Sequence, residues 1–209
     1  MLFRSGAILK DHFNTSNGTS SSTGLSYVAG LLGQGVSFNS NTYFSVPATA
    51  PANVCTTMTW MTWVKWNAPA SPTYANLISN WNSCASDASW NVNQAGGSKK
   101  LEITFNTSAG ANQYFSSVGA PLNGNWHHIA LTVTAAGAAI LYIDGVQDAT
   151  GSFSIGTGFC SPSATMNIGG PQCGSPLGSG AILDEMAIWN TVLTATEVQT
   201  IYNRQKGGL

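Results

Sequence analysis

Charged side chains are what this sequence lacks most. Only 7% of its 209 residues are Asp, Glu, Lys or Arg, against about 25% in an average globular protein. The formal net charge is −1, so there is no electrostatic footprint for nucleic acid or for an anionic membrane surface. Ser, Thr and Asn supply the surface polarity instead. Because low charge favours association, we expect a homo-oligomer, with a trimer as one form.

Targeting and membrane signals are also missing. Residues 1–10 lack the apolar run and small-residue cleavage site of a signal peptide. No stretch has the length of a membrane span, so we expect no membrane insertion. The hydrophobic content of 43% excludes a disordered chain. Together with the disulfides argued next, these features predict a domain of a longer chain that is secreted or held at the cell surface.

Cysteine is scarce, and its spacing excludes the common zinc motifs. There is no Cys-x-x-Cys pair, and the three histidines are not spaced as zinc ligands. An extracellular disulfide framework is the favoured interpretation, and free buried thiols are the alternative. Three connectivities are open to the four cysteines, which are Cys55, Cys84, Cys160 and Cys173.

One connectivity follows from an expected strand pairing. If the strand ending near Trp66 pairs antiparallel with the strand starting near Asn76, then Cys55 lies opposite residue 87 and close to Cys84. Cys160 and Cys173 would form the second pair. Each disulfide would then stabilise the fold by roughly 3 kcal/mol in the loop-closure model.

Short strands separated by Gly, Pro and Asn turns dominate the rest of the pattern. Residues 57–66 alternate in polarity and predict a long strand. We expect a hairpin over 36–47, strands near 76–81, 88–93, 101–105, 114–118, 126–133 and 139–143, and a tight turn at Asp144-Gly145. A capping box, Thr194 to Glu197, opens a helix over 193–204. The pattern predicts one all-β domain over 1–209, in which 1–29 form an N-terminal strand and a polar loop.

Several motifs in the second half resemble the laminin G-like, or concanavalin A-like, jelly-roll family. The segments 126–133 (WHHIALTV) and 141–146 (LYIDGV) are similar to its "WHHvAlT…LYvDGv" hairpin. The segments 168–170 (IGG) and 183–198 (LDEMAIWNTVLTATEV) are similar to its closing "iGg…iDEvaiWnraLtaaEi". The resemblance covers roughly residues 30–203 and implies a two-sheet antiparallel jelly-roll sandwich with one short C-terminal helix. It also implies carbohydrate or protein recognition, often with calcium, and a module of an adhesin. The composition is similar to that of tip domains of bacterial or phage surface fibres.

Acidic residues in this sequence do not form the pairs that glycoside hydrolysis requires. Two carboxylates must face one sugar, whereas Asp184 and Glu185 are adjacent and point to opposite faces of a strand. Glu102 has no acidic neighbour two residues away, and Glu197 serves the helix cap. A glycoside hydrolase or polysaccharide lyase is therefore the weakest of the three functions that we consider.

Calcium is a possible cofactor suggested by the family rather than by the acidic residues themselves. Hard cations need several oxygen ligands, and the loop over 171–180 contains no acid. Asp184 and Asp11 are the candidate ligands, together with backbone carbonyls. The alternative is that Asp184 holds a turn through hydrogen bonds to the backbone.

Tryptophan is abundant, and one hairpin tip groups it with polar residues. Sugar recognition needs an aromatic plate under the sugar ring, with amides and carboxylates that bind its hydroxyls. We expect this tip to be the glycan-binding site, and the alternative is that Trp90 packs inward. The candidate contact residues are Trp81, Asn82, Asp87, Trp90 and Trp66.

The sequence therefore predicts a secreted, non-enzymatic recognition domain. Its expected partner is a glycan or a cell-surface polysaccharide, bound at loop tips and strengthened by multivalent display as an adhesin. The rival hypothesis is a structural, oligomerising fibre-tip module whose tryptophans are buried between subunits.

Overall fold

The computed structural model describes most of the chain in detail. The described residues are 3–4, 10–11, 18–20, 25–39, 42–47, 55–69, 74–80, 89–106, 112–155, 158–159, 165–170, 175–178 and 180–208.

Sixteen strands, one α-helix and one short 3₁₀ helix are formed by these residues. The strands are β1 (Phe3–Arg4), β2 (Lys10–Asp11), β3 (Thr19–Ser20), β4 (Ser26–Ala29), β5 (Gln34–Phe38), β6 (Phe44–Val46), β7 (Met58–Asn67), β8 (Asn76–Ser79), β9 (Ser89–Gln94), β10 (Leu101–Asn106), β11 (Asn112–Ser116), β12 (Asn123–Val133), β13 (Ala138–Ile143), β14 (Val146–Ser152), β15 (Met166–Ile168) and β16 (Ala181–Trp189). The helix α1 spans Ala195–Gln205, and the 3₁₀ helix spans Lys206–Gly208.

Two seven-stranded antiparallel sheets form the body of the protein. Sheet I has the order β11-β10-β9-β8-β15-β6-β3, and sheet II has the order β14-β13-β12-β7-β16-β5-β4. The strands β1 and β2 form a separate two-stranded sheet. The predicted all-β, two-sheet sandwich with one short C-terminal helix is confirmed.

The core lies between the two sheets, and strand alternation explains its composition. In β7, Met58, Trp60, Val64 and Trp66 point into the core, while Met61 points to the opposite side of sheet II. Burying each large apolar side chain stabilises the fold by about 1.5–3 kcal/mol. Successive side chains of a strand point to opposite faces, so sheet I also has an outward face, opposite the core.

The helix α1 covers part of the outward face of sheet II. Its capping box is present as predicted: Thr194 Oγ1 accepts a hydrogen bond from Glu197 N, and Glu197 Oε2 accepts one from Thr194 N at 2.7 Å. Val198 is buried against Met61 and Tyr142 of the sheet. The predicted start of this helix is therefore correct to within two residues.

Two predicted strand pairings are wrong. The expected hairpin over 36–47 does not form, because β5 belongs to sheet II and β6 to sheet I. The strands β7 and β8 also lie in different sheets, since β7 pairs with β12 and β16 while β8 pairs with β9 and β15. At these two points the chain crosses from one sheet to the other, so the consecutive strands do not pair. The strand register that linked Cys55 to Cys84 therefore does not exist.

No helix among the described residues is long and apolar enough to cross a membrane.

Candidate functional site

The outward face of sheet I is polar along its whole width. In β9, Trp90 and Val92 point into the core, so Ser89, Asn91 and Asn93 point outward. The same alternation holds in the other strands of sheet I. We call this surface the polar face, and its described members are Thr19, Ser45, Asn76, Ser79, Ser89, Asn91, Asn93, Glu102, Thr104, Asn106, Tyr114, Ser116 and Asn167.

Strand register aligns seven of these side chains in one row, which crosses all the strands of sheet I. We call it the central row, and neighbouring members are direct cross-strand partners. From one edge of the sheet to the other the row is Tyr114, Thr104, Asn91, Ser79, Asn167, Ser45 and Thr19. Six steps of about 4.8 Å between strands give the row a length of about 29 Å.

The middle of the central row is buried and its two ends are exposed. Asn91 is 4% exposed and Asn167 is 1% exposed. Tyr114, in contrast, is 68% exposed at one end of the row, and Thr19 is exposed at the other. The ring of Tyr114 is thus accessible beside the buried polar groups.

Many buried polar atoms of this face have no hydrogen-bond partner. Asn91 Nδ2 donates to Asn76 Oδ1 at 3.2 Å, and Ser45 Oγ donates to Asn167 Oδ1 at 2.8 Å. The opposite ends of these amide groups are unpaired, and so are neighbouring hydroxyls. The unpaired atoms are Asn76 Nδ2, Ser79 Oγ, Ser89 Oγ, Asn91 Oδ1, Asn93 Oδ1, Asn106 Oδ1 and Asn167 Nδ2.

These unpaired atoms carry an energetic cost. A buried polar group without a partner costs about 1–3 kcal/mol, and native proteins rarely keep several of them together. The unpaired set contains both acceptors (amide oxygens) and donors (amide nitrogens and hydroxyls). The residues that carry these atoms are 0–4% exposed, so the atoms are covered in this structure.

The predicted hairpin-tip site is only partly within the described residues. Trp66 and Trp90 are each 2% exposed and belong to the core between the sheets. Their predicted role as sugar plates is wrong, since neither indole presents a face to solvent. Trp81, Asn82 and Asp87 lie outside the described residues, and their contact with a glycan stays a prediction.

Asp184 has the alternative role that the sequence left open. Its Oδ2 accepts hydrogen bonds from Leu31 N at 2.8 Å and Leu32 N at 3.0 Å, and its Oδ1 accepts one from Glu185 N at 2.9 Å. A Cβ added at Gly30 would lie 2.4 Å from Oδ2. Burial of this carboxyl group raises its pKa, against the lowering effect of the three amides. Asp184 therefore fixes the turn between β4 and β5.

The second predicted calcium ligand lies on strand β2. The backbone of Asp11 pairs with that of Phe3, and the position of its carboxylate is outside the described part of the structure. Among the described residues, no three acidic, His or Cys side chains are grouped as a metal site would require. Calcium binding through Asp184 and Asp11 stays a prediction.

Cys55 is the one cysteine among the described residues, and it is disulfide-bonded. Its backbone oxygen accepts a hydrogen bond from Phe159 N at 2.8 Å. The other three cysteines, Cys84, Cys160 and Cys173, lie outside the described residues.

The histidines of the 126–133 segment stabilise sheet II and its tight turn. His127 Nδ1 donates to Asp144 Oδ2 at 2.8 Å, and His128 N donates to Asp144 Oδ1 at 2.9 Å. Burial opposes ionisation of Asp144, but these hydrogen bonds outweigh it and lower its pKa. Asp144 and Gly145 both have positive φ, 52° and 75°, which is the geometry of the predicted two-residue turn.

One shallow apolar cavity lies on the other side of the protein. It has a volume of about 230 Å³ and is beside α1. Its lining residues are Trp189, Leu193, Glu197, Thr200 and Ile201. With two polar side chains in its lining, it lacks the set of converging donors and acceptors found on the polar face.

The sequence analysis missed the polar face, although a signal for it exists. Segments 89–94 (SWNVNQ) and 101–106 (LEITFN) alternate polar with apolar residues, and Asn recurs at their outward positions. Asn is depleted in β-strands, whereas Thr is enriched. Repeated Asn at the outward positions of consecutive strands is therefore the unusual feature that marks this face.

Comparison with known proteins agrees with this architecture. Residues 38–199 match the family Laminin_G_3 of the concanavalin A-like lectin/glucanases superfamily. A search of curated proteins found no significant match.

Solved structures with the same fold include binding domains of toxins and one domain of an enzyme. The binding domain of Paraclostridial Mosquitocidal Protein 1 has a TM-score of 0.78 at 18% identity, with 97% of this chain and 51% of that chain covered. The binding domain of botulinum neurotoxin DC in complex with SialylT has a TM-score of 0.72 at 16% identity, covering 98% and 50%.

A third structure matches over nearly its whole length. Domain 4 of AbnA, a GH43 extracellular arabinanase from Geobacillus stearothermophilus, in complex with arabinotriose, has a TM-score of 0.71 at 18% identity, covering 90% of this chain and 89% of that one. This chain thus spans about half the length of the toxin domains and most of the arabinanase domain. The family match covers more than half of the sequence, and the chain belongs to the concanavalin A-like lectin/glucanases superfamily.

Proposed function

We propose that this protein is a non-catalytic carbohydrate-binding module and that the polar face of sheet I is its binding site. The observation that carries the proposal is the exposed ring of Tyr114 at the end of the polar face, in a row of amide and hydroxyl side chains. Sugar hydroxyls pair with such groups, and the exposed ring of Tyr114 offers an apolar plate for the C–H face of a sugar.

Binding is favoured over hydrolysis by the acidic residues of this face. Glycoside hydrolysis requires two carboxylates at a fixed separation. In the described part of the polar face, Glu102 is the one carboxylate. The arabinanase domain was solved in complex with arabinotriose and the neurotoxin domain in complex with SialylT, so glycan binding on this fold has precedent.

The fibre-tip alternative has less support from the aromatic residues. It requires tryptophans at an interface between subunits, whereas Trp60, Trp63, Trp66 and Trp90 are buried within one chain. The low charge and the disulfide at Cys55 are typical of extracellular proteins. We therefore propose that the module belongs to a secreted or cell-surface adhesin. A homo-oligomer would supply avidity, and light scattering would measure its mass.

The direct test removes side chains at the exposed end of the polar face. Tyr114→Ala deletes the exposed ring, and Ser116→Ala deletes an exposed hydroxyl on the same strand. Substitutions at exposed positions usually change stability by less than about 0.5 kcal/mol. We expect both variants to melt close to the wild-type temperature and to weaken binding to the ligand identified on a glycan array, with the larger loss in Tyr114→Ala.

Asn203→Leu is the matched control, because Asn203 is exposed on α1, away from the polar face. This variant should bind the array ligand with wild-type affinity in isothermal titration calorimetry. Full binding by Tyr114→Ala and Ser116→Ala would place the site elsewhere, and Trp81→Ala would then be the next variant. A glycan array without a single ligand would contradict the proposed function itself.

A further inference from the structure

A second aromatic ring is exposed on sheet I, on a different strand from Tyr114. Tyr74 lies just before β8 and is 52% exposed. The next residue, Ala75, is buried in the core between the sheets, so the Tyr74 side chain lies on the same side of sheet I as the polar face. Ser175 N donates to the carbonyl oxygen of Tyr74 at 3.0 Å, which fixes the backbone that carries the ring.

The hydroxyl end of the Tyr74 ring packs against Gly96, in the turn between β9 and β10. A Cβ atom added at Gly96 would lie 3.1 Å from Tyr74 Oη, 3.2 Å from Cζ and 3.6 Å from Cε1. The left-handed residue of this turn is Gly97, with φ 73°, and Gly96 does not have a positive φ. The backbone therefore does not require glycine at position 96, and the ring occupies the space that a side chain would take.

Side-chain hydrogen bonds hold the turn that supports the ring. Gln94 Nε2 donates to the carbonyl oxygens of Pro69 and Ser98, each at 2.8 Å. Ser98 Oγ donates to Ala95 O at 2.6 Å and accepts from Lys100 N at 3.1 Å. A ring on a fixed support loses little freedom when a ligand stacks on it, so less binding free energy is lost to ordering.

Lys100 places a positive charge beside this ring. Ala95 N donates to Lys100 O at 2.9 Å, so Lys100 lies across the turn from the residue that precedes Gly96. Leu101 points into the core, and the exposed side chain of Lys100 therefore lies on the same side of sheet I as Tyr74. Opposite residues of an antiparallel pair are about 5 Å apart, so the long Lys100 side chain can reach a ligand stacked on the ring.

The charge of Lys100 is not matched within the part of the chain that the structure describes. The one ion pair there joins His127 and Asp144. Glu102, two residues further along in β10, makes no ion pair with Lys100, and the carboxylate of Asp148 accepts hydrogen bonds from two backbone amides. An exposed, unmatched ammonium group beside an aromatic ring fits a ligand that combines an apolar face with a negative charge.

A sugar that carries a carboxylate has both features. Its C–H face stacks on an aromatic ring, and its carboxylate accepts a charge-assisted hydrogen bond from an ammonium group. We propose that Tyr74, Gly96 and Lys100 form a second sugar subsite, which binds a carboxylate-bearing sugar unit. This subsite is separate from the site at Tyr114, and it rests on the proposed function because it takes a carbohydrate as its ligand.

Calorimetric titration of the full chain with acidic oligosaccharides tests this subsite. The probes are trigalacturonate, trimannuronate and 3′-sialyllactose, each beside its methyl ester, which removes the charge and keeps the sugar ring. We expect at least one acid to bind and its ester to bind at least about fivefold more weakly. The affinity for the acid should fall as sodium chloride is added, because Lys100 is exposed and its charge is screened.

Variants of the three residues separate the roles of plate, support and cation. Tyr74→Ala should weaken acid and ester alike by at least about fivefold, whereas Tyr74→Phe keeps the plate and should stay within about twofold of wild type. Gly96→Ala displaces the ring, so both affinities should fall while the ratio of acid to ester is kept. Lys100→Gln should lower the acid affinity to that of the ester and leave the ester within about twofold.

Lys99→Gln is the matched control, because it removes the same charge from the same turn. The Lys99 ammonium group donates to Asn67 Oδ1, and this variant should keep the ratio of acid to ester affinity within about twofold. Melting temperatures check the fold of each variant. Tyr74 and Lys100 are exposed, so their substitution should change stability little.

The outcomes distinguish this subsite from the proposed function. Equal affinities of wild type for acid and ester would overturn the subsite, as would unchanged acid binding in Tyr74→Ala and Lys100→Gln. Loss of acid binding in Tyr114→Ala, with full binding in Tyr74→Ala, would assign the acidic sugar to the first site and overturn the second. No binding of any acidic probe, with a neutral ligand found on the glycan array, would overturn the subsite alone. An array without any ligand would overturn both.

Discussion

Buried polar residues in this protein are of two kinds, which differ in how fully they are hydrogen-bonded. Asp184 has three backbone amides around its carboxylate, so its role is complete within the chain. Asn91 and Asn167 each use one end of their amide group and leave the other unpaired. The first kind stabilises a turn, and the second kind leaves hydrogen-bonding capacity unused at an energetic cost.

Removal of the Asp184 carboxylate should therefore destabilise the fold. In Asp184→Ala the amides of Leu31, Leu32 and Glu185 lose their acceptor, and we expect the free energy of unfolding to fall by about 2–4 kcal/mol in urea titrations. Asp184→Asn keeps one accepting oxygen, so its free energy of unfolding should lie between those of Asp184→Ala and the wild type.

The same variants test the calcium prediction. If Asp184 only holds the turn, adding calcium chloride or EDTA will change the melting temperature of wild type and Asp184→Ala equally. A calcium-dependent rise in wild type that is absent from Asp184→Ala would show that this carboxylate also binds the ion.

At the scale of elements, docking of α1 on sheet II depends on a histidine that stays neutral. The His128 ring lies 5.4 Å from the ring centre of Trp63 and 5.9 Å from that of Tyr202 on α1, and both of its nitrogens are buried without a partner. Burial lowers the pKa of His128 from 6.5 to about 4, while the nearby charge of Asp144 opposes this shift.

Acid should therefore weaken the fold in a defined pH window. The folded state excludes the proton that the unfolded state accepts, so stability is greatest above pH 6.5 and falls as the pH drops towards about 4. The difference between the pKa values of His128 in the unfolded and folded states corresponds to a loss of about 3 kcal/mol of stability. Denaturant titrations across this range measure the loss, which should largely disappear in His128→Phe, where an aromatic ring replaces the imidazole without titrating.

The carboxyl groups of Asp144 and Asp184 change the stability of the fold in another pH range or in the opposite direction. Asp144 has a lowered pKa, so its contribution is lost only as the pH falls below the ordinary value for Asp. Asp184 has a raised pKa, and its protonation favours the folded state slightly on acidification. A wild-type stability that stays constant between pH 6.5 and 4 would show that His128 is hydrated or hydrogen-bonded in solution.

The disulfide connectivity is also decided by how elements are arranged. The pairing of Cys55 with Cys84 rested on a β7–β8 register that is wrong, whereas the amide of Phe159 bonds directly to the carbonyl of Cys55. We therefore expect Cys55 to pair with Cys160, the next residue along, and Cys84 with Cys173. Peptide mapping without reduction will distinguish these links, and a Cys55–Cys84 link would restore the original expectation.

Local patterns predicted individual elements better than they predicted pairings. The alternation in β7, the Asp144-Gly145 turn and the capping box of α1 each depend on residues close in sequence, and each is confirmed. Pairings between β5 and β6 or between β7 and β8 were wrong because a chain that crosses between two sheets has the same local alternation as a hairpin. Trp66 and Trp90 were misplaced for a similar reason, since strand alternation does not say which face is buried.

For the whole molecule, the two sheets have different roles. Sheet II, with α1 docked on its outward face, is stabilised by the hydrogen bonds of Asp144, Asp184 and the helix cap. Sheet I contributes half of the core on one side and presents unpaired amides and hydroxyls on the other. Under the proposed function, sheet II with α1 mainly stabilises the molecule, and the exposed end of sheet I at Tyr114 binds the ligand.

The most direct test of the polar face follows backbone amide signals by NMR. The ¹⁵N-labelled protein would be titrated with the tightest ligand from the glycan array, and its backbone amide resonances would be assigned and monitored. We expect the largest shifts at Tyr114 and its neighbours in β11 and β10, and none at Asn203 on α1. Unchanged resonances along the central row, with shifts confined to the segment around Trp81 or to α1, would contradict the account.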